Sequence, residues 1–255
     1  YNHPSITTKT FDKANGLTLE YTVPAEEAKQ VDLMYASALE QTKPTDKNSV
    51  TLPFKHALTQ VHFKVGTKTT NLKVDIAANG IQIHNLKNSG SLTMKSNQID
   101  DAAWTLTGDA TAKYTVTSAV TGDYTDGTEA NPYTEIGNAN NALMLLPQEF
   151  VAGDGTAENT GAYLTISCKI YQVLADRTTK IYLHGDAEAF APITVGISSA
   201  LPAEEGGEAT QIWQRNKKVT YNLLFGAGDG VLFPIEFATE VEEWQPADGG
   251  VIEPK

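Results

Sequence analysis

The sequence predicts an all-β protein assembled from β-sandwiches, with few or no helices. Three observations carry this expectation. Apolar and polar residues alternate with period two in many short segments, as half-buried antiparallel strands require. Turn signals rich in Gly, Asn and Asp separate those segments. Thr is abundant at the outward positions, where β-branching suits a pleated surface.

The elements follow in order. Gln60 to Val65 places Val61, Phe63 and Val65 on one face and Gln60, His62 and Lys64 on the other. Asn71 to Ile76 repeats the arrangement, and Ile81 to Ile83 and Ser91 to Met94 follow, with Asn88-Ser89-Gly90 as a turn. Trp104 to Leu106 and Tyr114 to Val116 continue it. In the second half, Leu143 to Leu146 is a short apolar run stopped by Pro147. Ala162 to Val173 reads as a long strand, with Lys180 to His184 as its hairpin partner and Ala175 to Thr178 as the turn. Lys218 to Leu224 and Val231 to Phe237 close the pattern. Pro234 cannot donate a ladder hydrogen bond, which assigns that last strand to an edge or a bulge. Ala25 to Leu39 shows apolar residues near helical spacing, and Pro24 can start either a helix or a loop. The polar loops run from Thr121 to Asn141, Ala152 to Gly161 and Pro202 to Thr210. The first of them suggests two domains, 1–145 and 146–255.

The chain has 255 residues and a formal net charge of −12. With 19 Lys and Arg in total, and Arg only at Arg177 and Arg215, it does not read as a nucleic-acid binder. An anionic membrane is disfavoured for the same reason. The single cysteine, Cys168, excludes an internal disulfide and a multi-cysteine metal site. Strand alternation puts it on the face of Leu164, Ile166 and Ile170, as a buried and inert thiol. No apolar run reaches the roughly 20 residues of a membrane-spanning helix.

Catalytic patterns are weak. His56 and His62 would stand about 20 Å apart on one strand, too far to share a metal. Adjacent carboxylates such as Asp100-Asp101, Glu204-Glu205 and Glu242-Glu243 point to opposite faces of a strand and make no acid–base pair. Asp123 and Asp126-Gly127 lack the ligand spacing of a calcium loop. No nucleophile elbow, phosphate loop or dinucleotide fingerprint is present. The expectation is a protein that is not an enzyme, with no cofactor and no metal. Trp104, Trp213 and Trp244 fit a core or a sugar-stacking platform equally by position.

Five segments, in order, resemble the fimbrillin-like family of bacterial pilus subunits. They are Val31-Asp32-Leu33-Met34-Tyr35-Ala36, Leu52 to Phe63 with its Phe54-Lys55-His56-Ala57-Leu58 core, Leu145-Leu146-Pro147-Gln148, Trp213 to Leu223, and Val241-Glu242-Glu243-Trp244. The resemblance implies two β-sandwich domains of transthyretin-like topology. It implies export as a lipoprotein, with a lipid anchor on the precursor and the leader removed, to the outer membrane or fimbrium at the cell surface. Other pilus subunits are then the partners, with a host or bacterial surface glycan or protein as a receptor. Its mechanism is donor-strand exchange: an N-terminal strand is cut away, and a neighbour's C-terminal strand fills the groove. Here Val231, Phe233, Ile235 and Phe237 are the alternating knobs of the candidate donor, although the same strand could complete its own domain. Thr7 to Val23 is the candidate displaced segment, with Lys9 and Lys13 as cut sites, where the family often uses Arg. The alternative is a carbohydrate-binding surface lipoprotein that does not polymerise.

Overall fold

The fold follows from how the period-two segments share out their backbone hydrogen bonds. In the computed structural model, the described residues are 3–12, 16–36, 52–67, 72–95, 102–117, 134–136, 142–158, 160–197, 212–225 and 236–244, the last stretch as backbone only up to residue 242. Their strands form three larger sheets and one two-stranded ribbon.

The first sheet begins with a hairpin, β1 (Ile6–Asp12) against β2 (Gly16–Thr22), and continues through β7 (Ser89–Met94) to β8 (Ala103–Thr107). The ribbon pairs β3 (Met34–Tyr35) with β4 (Lys55–His56). The second sheet runs β10 (Thr134–Glu135), β5 (Thr59–Thr67), β15 (Lys217–Phe225), β16 (Glu236–Glu243), with β11 (Leu143–Leu145) also on β5. The third runs β13 (Lys180–His184), β12 (Tyr163–Val173), β6 (Leu72–Leu86), β9 (Ala112–Val116), with β14 (Ala191–Gly196) on the other half of β12. Buried side chains from all three sheets join one continuous apolar cluster.

The second and third sheets each combine strands from both sides of residue 145. A division into 1–145 and 146–255 would therefore cut the β5–β15 and β6–β12 ladders, and the sheets do not follow that boundary. The reason is the long-range pairing of β5 with β15, which no local pattern announces.

That pair is parallel, while the other strand ladders are antiparallel. Parallel strands sit at the centre of sheets and are covered on both faces. Burial along β5 and β15 is accordingly almost continuous. This corrects the expectation that the His62 face of β5 is solvated: His62 is 5% exposed. Its Nδ1 lies 3.5 Å from Glu135 on β10, and its Nε2 is buried without a hydrogen-bond partner. Desolvation, helped by Lys218 and Lys64, lowers its pKa from 6.5 to about 4. Neutral in the folded state, His62 takes up a proton more readily when unfolded. Stability is then full above pH 6.5 and falls, by up to about 3 kcal/mol, as pH drops from about 6.5 to about 4. Urea titrations across that window are expected to show the loss, and a His62→Phe variant to flatten it.

Two segments read separately in the sequence merge into β6. Ile166 pairs with Ile81 and Cys168 with Ile76, so Ala77–Gly80 form an irregularity opposite Ser167. Asn79 adopts φ 59°, and a Cβ on Gly80 would stand 2.6 Å from the Ala77 carbonyl oxygen. The β6–β7 connection is Lys87-Asn88, with Ser89 and Gly90 already in strand β7. The β12–β13 hairpin matches its expectation: Asp176 accepts from the Thr178 and Thr179 backbone N–H groups at 2.9 and 2.8 Å, and Arg177 has φ 60°. Cys168 is fully buried with Leu164, Ile166 and Ile170, and burial pushes its thiol up to about 12.

Within the helical candidate, the described residues form a 3-10 turn, Glu27–Lys29, and the short strand β3 in place of a helix. Its polar side chains are used elsewhere. Glu27 accepts from the backbone N–H and hydroxyl of Thr117, each at 2.7 Å. Gln30 donates to the Pro24 carbonyl and accepts from the Met144 N–H. The segment is a strap laid across β9 and β11, which a regular helix would not satisfy.

Candidate functional site

Residues from the five sequence segments meet at one junction. His56 Nδ1 lies 2.9 Å from the Asp32 carboxylate, and its ring stacks on Trp244 with centroids 3.7 Å apart and planes 1° from parallel. Arg215 donates to the Tyr35 hydroxyl and lies over the Tyr35 ring. Asn216, in the left-handed region at φ 60°, ties three segments together. Its Oδ1 accepts from the His56 N–H at 3.3 Å, its N–H donates to Leu58, and its carbonyl accepts from Trp244. Thr59 adds a hydroxyl bond to the Gln214 carbonyl at 2.8 Å.

The Pro147-Gln148 element closes the other side. Gln148 is buried and spends its whole side chain on backbone: Oε1 accepts from the Lys87 N–H at 2.9 Å, and Nε2 donates to the carbonyls of Lys87 and Leu146. Its own carbonyl accepts from Trp213. Trp213 is 0% exposed, gives its indole N–H to Tyr221 Oη at 2.9 Å, and meets Phe150 edge-on. Burial pushes the Tyr221 hydroxyl up. The sequence signatures thus serve architecture.

The second feature is the N-terminal hairpin at the edge of the first sheet. Along β1 only Ile6 is partly buried, and Phe11 is 75% exposed. On β2, by contrast, Leu19, Tyr21 and, just beyond, Val23 drop into the core at period two. Tyr21 stands opposite Gly90 and against the Trp104 ring. Its hydroxyl is buried without a hydrogen-bond partner, and burial followed by the charge of Asp32 pushes its pKa up to about 12. Lys9 is exposed on β1, and Lys13 lies outside the described residues.

Of the candidate donor residues, Val231, Phe233 and Ile235 lie outside the described residues, as does Pro234. Phe237 stands in β16, in register with Leu223 of β15. The tryptophans make no flat platform: Trp213 is enclosed, Trp104 is half-buried with its indole N–H on the Ala57 carbonyl, and Trp244 is covered on one face by His56. Among the described residues no three His, Cys, Asp or Glu side chains are grouped as a metal ion requires. His84 stacks on Tyr163, and His184 bonds the Ala191 carbonyl.

Taken together, the sheets and the junction define a β-rich scaffold whose distinctive side chains bind segments of its own chain to one another. The chain belongs to the fimbrillin-like family, whose model matches residues 3–244. Its fold is like that of a fimbrial protein from Bacteroides vulgatus, 17% identical, with 94% of this chain and 72% of that one covered at a TM-score of 0.64. A candidate cell adhesion protein from Bacteroides uniformis is 15% identical over 92% of this chain and 69% of that one, at 0.46. The tip fimbrial protein Mfa3 from Porphyromonas gingivalis, with a C-terminal truncation, is 12% identical over 75% of this chain and 52% of that one, at 0.32. The fold comparison rests on the first. No curated protein matches the chain significantly.

Proposed function

We propose that this protein is a non-enzymatic, cell-surface fimbrial subunit or adhesin that assembles by donor-strand exchange. Membership of the fimbrillin-like family supports the fimbrial role. The observation that carries the mechanism is the unequal burial of the hairpin. β1 contributes almost nothing to the core, while β2 fills it at alternate positions and pairs with β7 along its length. Removing both strands would bare the β7 edge and the seats of Leu19, Tyr21 and Val23, a groove shaped for an alternating strand.

β2 is also an imperfect occupant. It buries the Tyr21 hydroxyl unpaired, at a cost of about 1–3 kcal/mol. A strand carrying Val231, Phe233, Ile235 and Phe237 offers the same spacing with no hydroxyl to desolvate. Among the described residues β16 lies at the end of its sheet and is paired with β15 alone, so its release gives up a single ladder there.

The position of the cut follows. Cleavage after Lys9 or Lys13 would leave β2 in place. Lys29 is exposed, follows β2, and is held in the 3-10 turn by an ion pair with Glu26. A cut there frees both strands, gives up the Gln30–Pro24 bond, and leaves the Gln30–Met144, Asp32–His56 and Tyr35–Arg215 contacts of the strap intact. Limited trypsin digestion followed by sizing chromatography tests this. The expected result is loss of residues 1–29 and a ladder of oligomers, both blocked by Lys29→Gln. A trimmed protein that stays monomeric at high concentration overturns strand exchange as the mode of assembly.

A further inference from the structure

A groove of about 730 Å³ lies beneath β8, bounded on its far side by the Pro147–Glu149 and Ile212–Lys217 segments. Its charge is opposite to that of the molecule. Lys55, Lys87, Arg215 and Lys217 line it against Glu149 and Glu243, in a chain of net charge −12. Arg215 is one of two arginines in the sequence. Arg215 is fixed locally by Tyr35, and Lys217 by Glu243. Lys87 is aimed by its backbone, which Gln148 grips on both the N–H and the carbonyl, and its ammonium makes no ion pair among the described residues.

The wall above these charges is a strand. β8 is the last strand of its sheet, paired with β7 alone among the described residues. Trp104 and Leu106 project from it into the groove at period two. A terminal strand offers backbone N–H and C=O groups in an extended row, and alternate apolar side chains set the register of anything added to it. The tryptophans argue against a sugar as the occupant. Trp213 is enclosed with its indole N–H on Tyr221, and Trp104 spends its own on the Ala57 carbonyl, so neither offers a sugar hydroxyl a free donor.

We propose that this groove binds an extended acidic peptide, which adds to the outer edge of β8 and places its carboxylates among Lys55, Lys87, Arg215 and Lys217. The site is at the β8 edge of the first sheet, opposite the edge that carries the β1–β2 hairpin. Charge complementarity in such a site speeds association and makes binding sensitive to salt.

The test uses the intact chain and a fluorescein-labelled, end-blocked peptide alternating Glu with Thr and Val, read by anisotropy at low salt. Saturable binding is expected, weakened about tenfold or more by Lys87→Glu and unchanged by Lys113→Glu, which sits on β9. Substituting Lys for Glu in the peptide is expected to abolish binding, and N-methylation of alternate peptide amides to weaken it strongly. Amide exchange across residues 103–107 is expected to slow on binding. The circular dichroism of each variant confirms that it folds. Absence of saturable binding, binding indifferent to Lys87→Glu or to N-methylation, or unchanged exchange at residues 103–107 each overturns the proposal. Displacement of the peptide by polygalacturonate at equal carboxylate concentration would also overturn it, making the groove an acidic-glycan site.

Discussion

Replacing Trp213 with Ala is expected to lower stability by about 3–5 kcal/mol. For a domain whose whole stability is about 5–15 kcal/mol, that is enough to leave a large fraction unfolded at 37 °C. Two losses add up at this residue, and the held backbone keeps them from being relieved. The cavity removes the edge-on contact with Phe150. The Tyr221 hydroxyl, fully buried, loses the indole N–H that it accepts. The surrounding backbone is held by the Trp213–Gln148 and Asn216–Leu58 bonds and cannot easily collapse into the space. Trp213→Phe retains most of the volume and is expected to cost roughly half as much. Urea unfolding of both variants, compared at constant m-value, checks the size and the order of the effects.

Gln148→Leu is the second large effect, expected at about 3 kcal/mol. The side chain is nearly isosteric, so little packing is lost. What is lost is polar satisfaction: the Lys87 N–H and the Lys87 and Leu146 carbonyls all lose a partner together. A buried polar group left unpaired costs about 1–3 kcal/mol. Gln148→Glu should not rescue the loss. It keeps the acceptor for the Lys87 N–H but removes both donated bonds and brings a charge into a buried position. The same denaturation experiment separates these outcomes, and a Gln148→Glu variant as stable as the parent would contradict the assignment.

These two residues also mark what the sequence could reveal. Period-two alternation was enough to locate most strands, because one-sided burial writes itself into consecutive residues. Cys168 on the face of Leu164, Ile166 and Ile170 is such a case, and the β12–β13 hairpin, with Asp176 at its turn, is another. The burial of His62 is not legible in this way because its cover comes from distant strands: a parallel β15 on one flank and β10 on the other. A local pattern carries no record of such neighbours. For the same reason the joining of β6 through Ala77–Gly80 was hidden, since it depends on Ser167 opposite. The five family segments were visible as a series, but their meeting at His56, Asn216 and Gln148 was not. Nor was the cationic groove, whose charges at Lys55, Lys87, Arg215 and Lys217 are scattered along the chain and gathered only by the fold.

The central claim is that β2 occupies a seat meant for another subunit's strand. The most direct measurement is binding of a labelled peptide spanning residues 231–243 to protein cut at Lys29, with the intact chain as reference. The account predicts saturable uptake by the cut protein, renewed protection of the β7 amides at residues 89–94, and no binding by the intact chain. A cut protein that ignores the peptide, or an intact chain that binds it equally well, would contradict it.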